Sequence, residues 1–493
     1  MKQKSKKVCI VGSGIAGLAC AARLAAKGYA VACFEANSYY GGKLTSFEKD
    51  GFRFDAGPSL FTMPQLVDDV FVAANKNPRT YFNYKQKEVA CNYFFSDGLL
   101  LTGYADITKF AHEIENKLGV NKNVIINYFN KSKMKYQRVG NLFMTHSLHK
   151  LSTWLSSKVL VALSHIYSFD LLNTMNGVNV RELKNDKLIQ LFNRYATYNG
   201  SNPYSAPGLL TLIPHLEHGI GTFIPEGGMQ QIPESLYKLC IDLGVTFHFN
   251  SPVDKIILNG SRASGVISKQ QHFDFDMVVC NSDIANAYKK LIPELKKSKT
   301  IATQERSSSA LIFYWGINKR FSQLDLHNIL FSSNYKEEFD CMFAKQEVYQ
   351  DPTVYINISS KEITGDAPVG AENWFVMINM PANKGYYTDE VQRKARAFII
   401  KKINTLLSTD IEKYIIVEDV LTPVSIESKT GSLHGSLYGT ASNTKMSAFS
   451  RHANFSTEVN NLFFCGGSVH PGGGIPLCLN SAKIVSELIA DVN

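Results

Sequence analysis

Residues 7–35, "KVCIVGSGIAGLACAARLAAKGYAVACFE", constrain the fold more than any other part of the chain. Val8 to Val11 form a short apolar run of strand type, and Gly12, Gly14 and Gly17 follow as G-x-G-x-x-G. Leu18 to Lys27 carry small and apolar residues suited to a helix, Gly28 ends it, and Tyr29 to Phe34 read as a second strand. Each glycine has a separate use: a tight turn, close approach of backbone to a pyrophosphate, and close packing of helix on sheet. The helix N-terminus offers free N–H groups and partial positive charge to phosphates. Glu35 ends the second strand, where a carboxylate can accept both ribose hydroxyls. The basic start "KQKSKK" before an apolar run imitates a signal peptide, but that reading leaves Glu35 unexplained. A dinucleotide-binding βαβ unit is predicted.

The continuation favours FAD over a nicotinamide. Gly41 and Gly42 with Lys43 behind them suit a longer ligand passing the same strand ends, with Lys43 toward a phosphate. "FRFDAGPS" then alternates like a strand and turns at Gly57-Pro58, again with bare backbone. A nicotinamide enzyme more often shows a second mononucleotide half here, whereas this chain runs into irregular sequence. Near the other end, "NNLFFCGGSVHPGGGIPL" reads as a strand, a glycine-rich stretch and the start of a helix.

The 493 residues allow two or three domains or one elaborated α/β core, and 19% charged residues exclude a disordered chain. The net charge of +9 is spread along the chain, apart from "KQKSKK" and "NKSKMKYQR". No finger spacing, RNA-binding signature or dense basic stripe points to nucleic acid. Either basic cluster is a solvated face or a contact for anionic lipid headgroups. The nine cysteines are dispersed, odd in number and without a CxxC pair. Several, among them Cys9, Cys33, Cys280 and Cys465, sit in apolar strand-like runs. They are predicted to be buried thiols in a reducing compartment, with no disulfide framework and no zinc or other metal site.

From 76 to 244 the pattern is helical and rich in aromatics. Its most apolar part, 148–172, is interrupted by Lys158, His165 and several serines, so it falls short of the ~18 residues of a membrane span. It is either a buried helix or one lying against a bilayer. Residues 245–283 read as short strands with glycine turns. Residues 301–414 mix strands with one long amphipathic helix at "TDEVQRKARAFIIKKINTLLS". The nucleotide-type elements therefore fall in separated pieces, and the expected division is 1–75, 245–300 and 415–493 for the cofactor domain. The second domain takes 76–244 and 301–414, with a helical, membrane-facing lid. The fold class is α/β: a Rossmann-type FAD-binding domain interleaved with a mixed α+β substrate domain.

The array "GSGIAGLACAARLAAKG", "FEANSYYGGKLTS", "FDAGPSLF", "RYATYNGSNPYSAPGLLTLIPHLEHGIGTFIPEGGMQQIPESL" and "GGSVHPGGGIPLCLNSAKIV" resembles the bacterial-type phytoene and carotenoid desaturases. These are FAD-dependent proteins with a glutathione-reductase or amine-oxidase-like fold, and the resemblance spans essentially the whole chain. It implies that Gly12, Gly14, Gly17 and Glu35 hold the adenosine-diphosphate part of FAD, and Gly41, Gly42 and Lys43 a second loop. Arginine is frequent in place of Lys43, which keeps the charge without the bidentate fork. Gly57, Pro58 and Ser59 match the turn beside the flavin ring, and Val253 the strand whose backbone meets the adenine. Gly467 and Ser468 follow the "CG" step, with Ser468 where many relatives carry an acid for the ribityl chain. Gly472 to Gly474 would bring backbone against the ring. Gly474, Ile475 and Pro476 would turn the last helix's N-terminus toward the flavin's N1–C2 edge, where reduced flavin carries negative charge.

The implied activity is dehydrogenation of a CH2–CH2 unit beside a polyene, most like the branch that desaturates C-3,4 of hydroxylated or monocyclic carotenoids. Phytoene desaturation, a related isomerase or saturase, an amine oxidase, and non-catalytic carotenoid binding remain alternatives. The cofactor does the redox chemistry and the protein supplies alignment and a dry tunnel, which accounts for the lack of a Ser/His/Asp or metal constellation. His215, Glu217, His218 and Glu226 are the proton-accepting candidates, each also readable as a structural or surface group. Tyr195 and Asn199 are candidates for a substrate hydroxyl. The expected setting is cytoplasmic, on the inner face of a membrane without spanning it. Quinone or oxygen as electron acceptor stays open.

Overall fold

The computed structural model describes residues 5–155, 166–443 and 451–491. The middle of the 148–172 segment, with Lys158 and His165, lies outside the described residues. A five-stranded sheet runs in the order Leu462–Phe464, Met277–Cys280, Lys7–Val11, Ala30–Phe34, Thr246–His248, and all its pairs are parallel. A parallel sheet is covered on both faces, so its strands are apolar throughout. "VCIV" and "MVVC" are accordingly buried end to end, in register from Val8↔Met277 to Val11↔Cys280. Helix Ile15–Ala26 lies on one face and packs against helices Gln231–Asp242 and Ile475–Asp491. On the other side stands a three-stranded antiparallel sheet, Val253–Asn259, Arg262–Ser268 and Gln271–Asp274.

The second layer is a seven-stranded sheet ordered Ile415–Leu421, Ser309–Ile317, Glu372–Met380, Val354–Asn357, His327–Leu330, Val89–Phe94, Leu100–Tyr104. Strand Val89–Phe94 pairs in parallel with His327–Leu330, so the two intervening stretches share one sheet. Helix Asp389–Leu407, with Thr388 accepting from Val391 N at its start, covers this sheet with Ile399, Ile400 and Ile403. The described helices between Ile107 and Asn199 form a cap with its own core around Phe110, Ile125, Phe192 and Tyr195.

Two boundaries read from the sequence move. Ile415–Leu421 pairs with Ser309–Ile317 and so belongs to the larger sheet, not with 422–493. Helix Gln231–Asp242, placed with the helical region, is part of the nucleotide-binding core through Ile232, Leu236 and Leu239. Both elements carry ordinary amphipathic patterns, which say that a face is buried and not against what.

Candidate functional site

The parallel strands deliver Gly12, Glu35, Asn281 and Gly466 to one end of the sheet, all lining a cavity of about 1310 Å3. Open parallel sheets bind ligands at that end. The two N-terminal glycine loops rest on each other: Gly41 N donates to Ser13 O at 2.9 Å, and a Cβ on Gly42 would stand 3.2 Å from Gly14 Cα. Helix Ile15–Ala26 starts from Gly14 without a side-chain cap, and Gly14, Ile15 and Ala16 line the cavity. Its first N–H groups are therefore left for an anionic ligand. Gly17 does not reach the cavity wall. Its Cβ would sit 2.1 Å from Gly12 O, so it serves the packing of helix on loop.

Glu35 is buried. One carboxylate oxygen accepts from Ser13 N and Ser13 Oγ, both at 2.8 Å, and the other from Asn37 N at 2.9 Å and Asn37 Nδ2 at 3.1 Å. These four donors fill the lone-pair positions of a carboxylate. A ligand hydroxyl reaches it by replacing the two side-chain donors while both backbone donors stay. Val253 and Pro252 line the cavity close in sequence to Ser251, whose N–H donates to Glu35 O at 2.7 Å.

Gly57, Pro58 and Ser59 also line the cavity, and a Cβ on Gly57 would lie 1.8 Å from Lys43 O. Only glycine lets that turn close. The C-terminal glycines divide their tasks differently from the sequence expectation. A Cβ on Gly472 would meet Arg451 and Leu477, and one on Gly473 would meet Tyr438 Cδ1 at 2.6 Å. Gly474, at φ 100°, has nothing within 4 Å of its Cβ position and opens on the cavity beside Ile475 and Pro476. Gly474 thus leaves bare backbone open on the cavity, Gly473 lines it as well, and Gly472 and Gly473 pack the loop on its neighbours.

Two cations border this end, Lys43 half-buried and Arg451 buried. Lys43 Nζ donates to the carbonyls of Leu437 at 2.9 Å and Ser436 at 3.2 Å. Its ammonium is thus turned toward backbone, which corrects the picture of a lysine standing free for a phosphate. Burial lowers its pKa, with Asp283 opposing. Arg451 donates to Tyr438 O at 3.0 Å, Gly467 O at 3.2 Å and Asn199 Oδ1 at 2.8 Å, and burial brings it down to about 10. No carboxylate pairs with either among the described residues. Ser468 Oγ accepts from Ile284 N at 2.9 Å, and Asp283 caps the same short helix while lining the cavity. Uncapped N–H groups, two uncompensated cations and glycine-only backbone together fit a long anionic ligand with a flat ring, as FAD is.

The proton-accepting candidates separate. Glu217 lines the cavity, pairs with Arg194 at 2.8 Å and accepts from Tyr195 at 2.9 Å, Tyr93 at 3.2 Å and Tyr198. Burial alone would raise its pKa, but Arg194, His218 and Tyr198 outweigh it and hold the carboxyl well below its usual range. His218, the next residue, is turned away from the cavity between Tyr104 O at 2.9 Å and Tyr195 OH at 3.0 Å, stacked on Phe110. His215 packs on Tyr136 outside the cavity wall, and Glu226 is exposed on a turn. None of His215, His218 or Glu226 is placed to take a proton from a ligand there. Tyr195 is fully buried against Glu217, and Asn199 lines the cavity holding Arg451.

Sequence reasoning passed over Asn281 and Asp283, the Ser436–Tyr438 loop, Arg451, and the pair His327 and Tyr355. Asn281 had a signal: it follows the apolar run "MVVC" as Gly12 follows "VCIV", at the end of a parallel strand. Among the described residues there is no group of His, Cys, Asp and Glu able to hold a metal ion, and the cysteines are unpaired, all but Cys478 fully buried. No described helix is long and apolar enough to cross a membrane.

Residues 15–338 match the family described as flavin containing amine oxidoreductase. The chain is 49% identical to a 1-hydroxycarotenoid 3,4-desaturase of Flavobacterium sp., over 99% of this chain and 100% of that protein. A 4,4'-diapolycopene oxygenase of Methylomonas sp. is 31% identical over 99% of each chain. In fold it is similar to putrescine oxidase (TM-score 0.64, 15% identity, 99% of each chain). Cyclohexylamine oxidase from Brevibacterium oxydans gives a TM-score of 0.61 at 14% identity, again over 99% of each chain.

Proposed function

The chain belongs to the flavin-containing amine oxidoreductase family, and from that premise we propose that it is an FAD-dependent carotenoid desaturase. Its substrate is a hydroxylated acyclic or monocyclic carotenoid, desaturated at C-3,4. The observation that carries this reading is the continuity of the cavity. It runs from the strand ends at Gly12 and Glu35 into a stretch walled by Phe143, Met144, Leu209, Leu212, Ile329 and Met377. An anion-suited end joined to a long apolar end suits a dinucleotide beside a polyene.

Bound FAD supplies the two-electron, hydride-accepting chemistry of such a dehydrogenation. Glu35 and Val253 would hold its adenosine part and Gly12, Gly14, Ile15 and Ala16 its diphosphate. Gly57, Pro58, Ser59, Gly474, Ile475 and Pro476 would border the ring, with Lys43 and Arg451 supplying positive charge. The apolar wall aligns the polyene and keeps water from it. Glu217 stays ionised in its cage and acts there as a fixed charge, since a carboxylate held so far below its range is a poor proton acceptor.

A carotenoid is delivered from a bilayer, and the proposed docking face is the end of the short helix Leu151–Trp154. Trp154 and Leu155 stand there 42% and 75% exposed, which supports a peripheral attachment.

Expression in cells that accumulate phytoene, lycopene or a 1-hydroxylated acyclic carotenoid tests the substrate. The expected outcome is a red-shifted pigment with one added conjugated double bond only in the hydroxylated background. Conversion of phytoene alone would make it a phytoene desaturase, and pigment bound without spectral change would remove the enzymatic reading.

A further inference from the structure

The cavity wall carries a polar cluster beside the Gly57–Ser59 turn and apart from the ion-pair cage. His327 begins strand His327–Leu330 and faces Asn357 across the antiparallel pair with Val354–Asn357. Tyr355 OH lies 2.8 Å from His327 Nδ1 and 2.8 Å from Ser59 Oγ. Asn357 Nδ2 lies 3.2 Å from the same Nδ1 and donates to Leu326 O at 3.1 Å, which fixes the orientation of the amide. An amide nitrogen donates only, so His327 Nδ1 accepts. The ring is 2% exposed and neutral, burial having lowered its pKa to about 4. A neutral imidazole that accepts at Nδ1 carries its proton at Nε2. That Nε2–H is buried and has no acceptor among the described residues, although the residue lines the cavity.

Two acceptors of the wall, Glu217 and Asn199, are engaged. Glu217 receives Arg194, Tyr93, Tyr195 and Tyr198, Asn199 receives Arg451, and Arg194 Nε is a second N–H on the wall with no partner. A buried N–H donor left without an acceptor is complementary to a ligand oxygen.

Resting on the desaturase reading, we infer that His327 Nε2–H forms a subsite for the hydroxyl oxygen of the carotenoid end group and selects hydroxylated substrates over hydrocarbon ones. The placement agrees with the chemistry. A hydroxyl on C-1 is only two carbons from C-3, so its recognition group must stand beside the bond that is oxidised. His327 does so through Tyr355 and Ser59, the last residue of the turn assigned to the ring.

The test compares kcat/KM for a 1-hydroxylated carotenoid and for the same polyene without the hydroxyl. It uses flavin-loaded wild type, His327→Phe and His327→Gln. Wild type is expected to prefer the hydroxylated substrate about tenfold or more, as for one buried hydrogen bond lost. In His327→Phe the ratio should collapse toward one through a higher KM for the hydroxylated substrate, and His327→Gln, which keeps an N–H donor, should restore part of it. Wild type that converts both substrates equally, or a ratio unchanged in His327→Phe, would overturn the subsite alone. Should His327→Phe fail to load flavin, the wild-type ratio and the His327→Gln ratio still decide. Wild type that converts neither carotenoid overturns the desaturase reading and the subsite with it.

Discussion

Glu35 shows how much one residue holds at the cofactor end. Its carboxylate is the acceptor for the backbone N–H groups of Ser13 and Asn37, and so fixes the glycine loop as well as any ligand. Glu35→Ala should therefore act twice. It leaves buried donors unpaired, at a cost of about 1–3 kcal/mol, and it removes the proposed acceptor for the ribose. The purified variant is expected to lose most of its flavin and to unfold at lower denaturant even when compared apo to apo. Flavin content and urea unfolding on the same preparations check this, and equal flavin retention in both proteins would remove Glu35 from the site. Gly473 teaches the converse. Valine there would strike Tyr438 and push on the loop that carries the carbonyls for Lys43, at a glycine that also lines the cavity, so the loop and any ligand beside it would be disturbed together.

At the scale of elements, the proposed membrane contact is the short helix Leu151–Trp154 with Leu155. Trp154 Nε1 donates to Leu148 O at 2.8 Å, which anchors the short helix Leu151–Trp154 while Leu155 projects beyond it. Such a side chain lends apolar area to a bilayer without disturbing the core beneath. Flotation with liposomes containing anionic lipid should recover wild type in the top fraction. The double variant Trp154→Glu, Leu155→Glu should remain at the bottom, with an unchanged circular dichroism spectrum. If the variant floats as well as wild type, the contact lies elsewhere on the protein.

The whole molecule should be sensitive to mild acid. His327, His452 and His470 are each held by burial at a pKa of about 4, the first in the larger sheet and the other two side by side, where His470 N donates to His452 O at 2.9 Å. In the unfolded chain each takes up a proton near pH 6.5. Between about 6.5 and 4 the unfolded state therefore binds more protons, and stability falls as the pH drops through that window. Above it these groups cost nothing. Each contributes at most ~1.4 kcal/mol per pH unit. The thermal midpoint is thus expected to be flat from pH 8 to 7 and to fall steeply toward pH 5, with His452→Gln giving a shallower decline. A midpoint equal at pH 7.5 and pH 5 would contradict the assignment of these rings as neutral.

What the sequence determined by itself is what local interactions decide. The first strand, the glycine turn, its helix and Glu35 follow from apolar period and from backbone that must come close without side chains. The long strands Ser309–Ile317 and Glu372–Met380 and the helix Asp389–Leu407 follow from pattern in the same way. The tertiary structure alone decided which side chains face the cavity. Glu217 lines it and His218, its neighbour, does not, because successive residues of the helical turn His215–Ile220 point to different sides. Lys43 meets carbonyls nearly four hundred positions away, and His327 is set by Tyr355, Asn357 and the distant Ser59. No local period encodes such pairs, since they exist only once separate sheets are packed and polar groups buried at the seam must find each other.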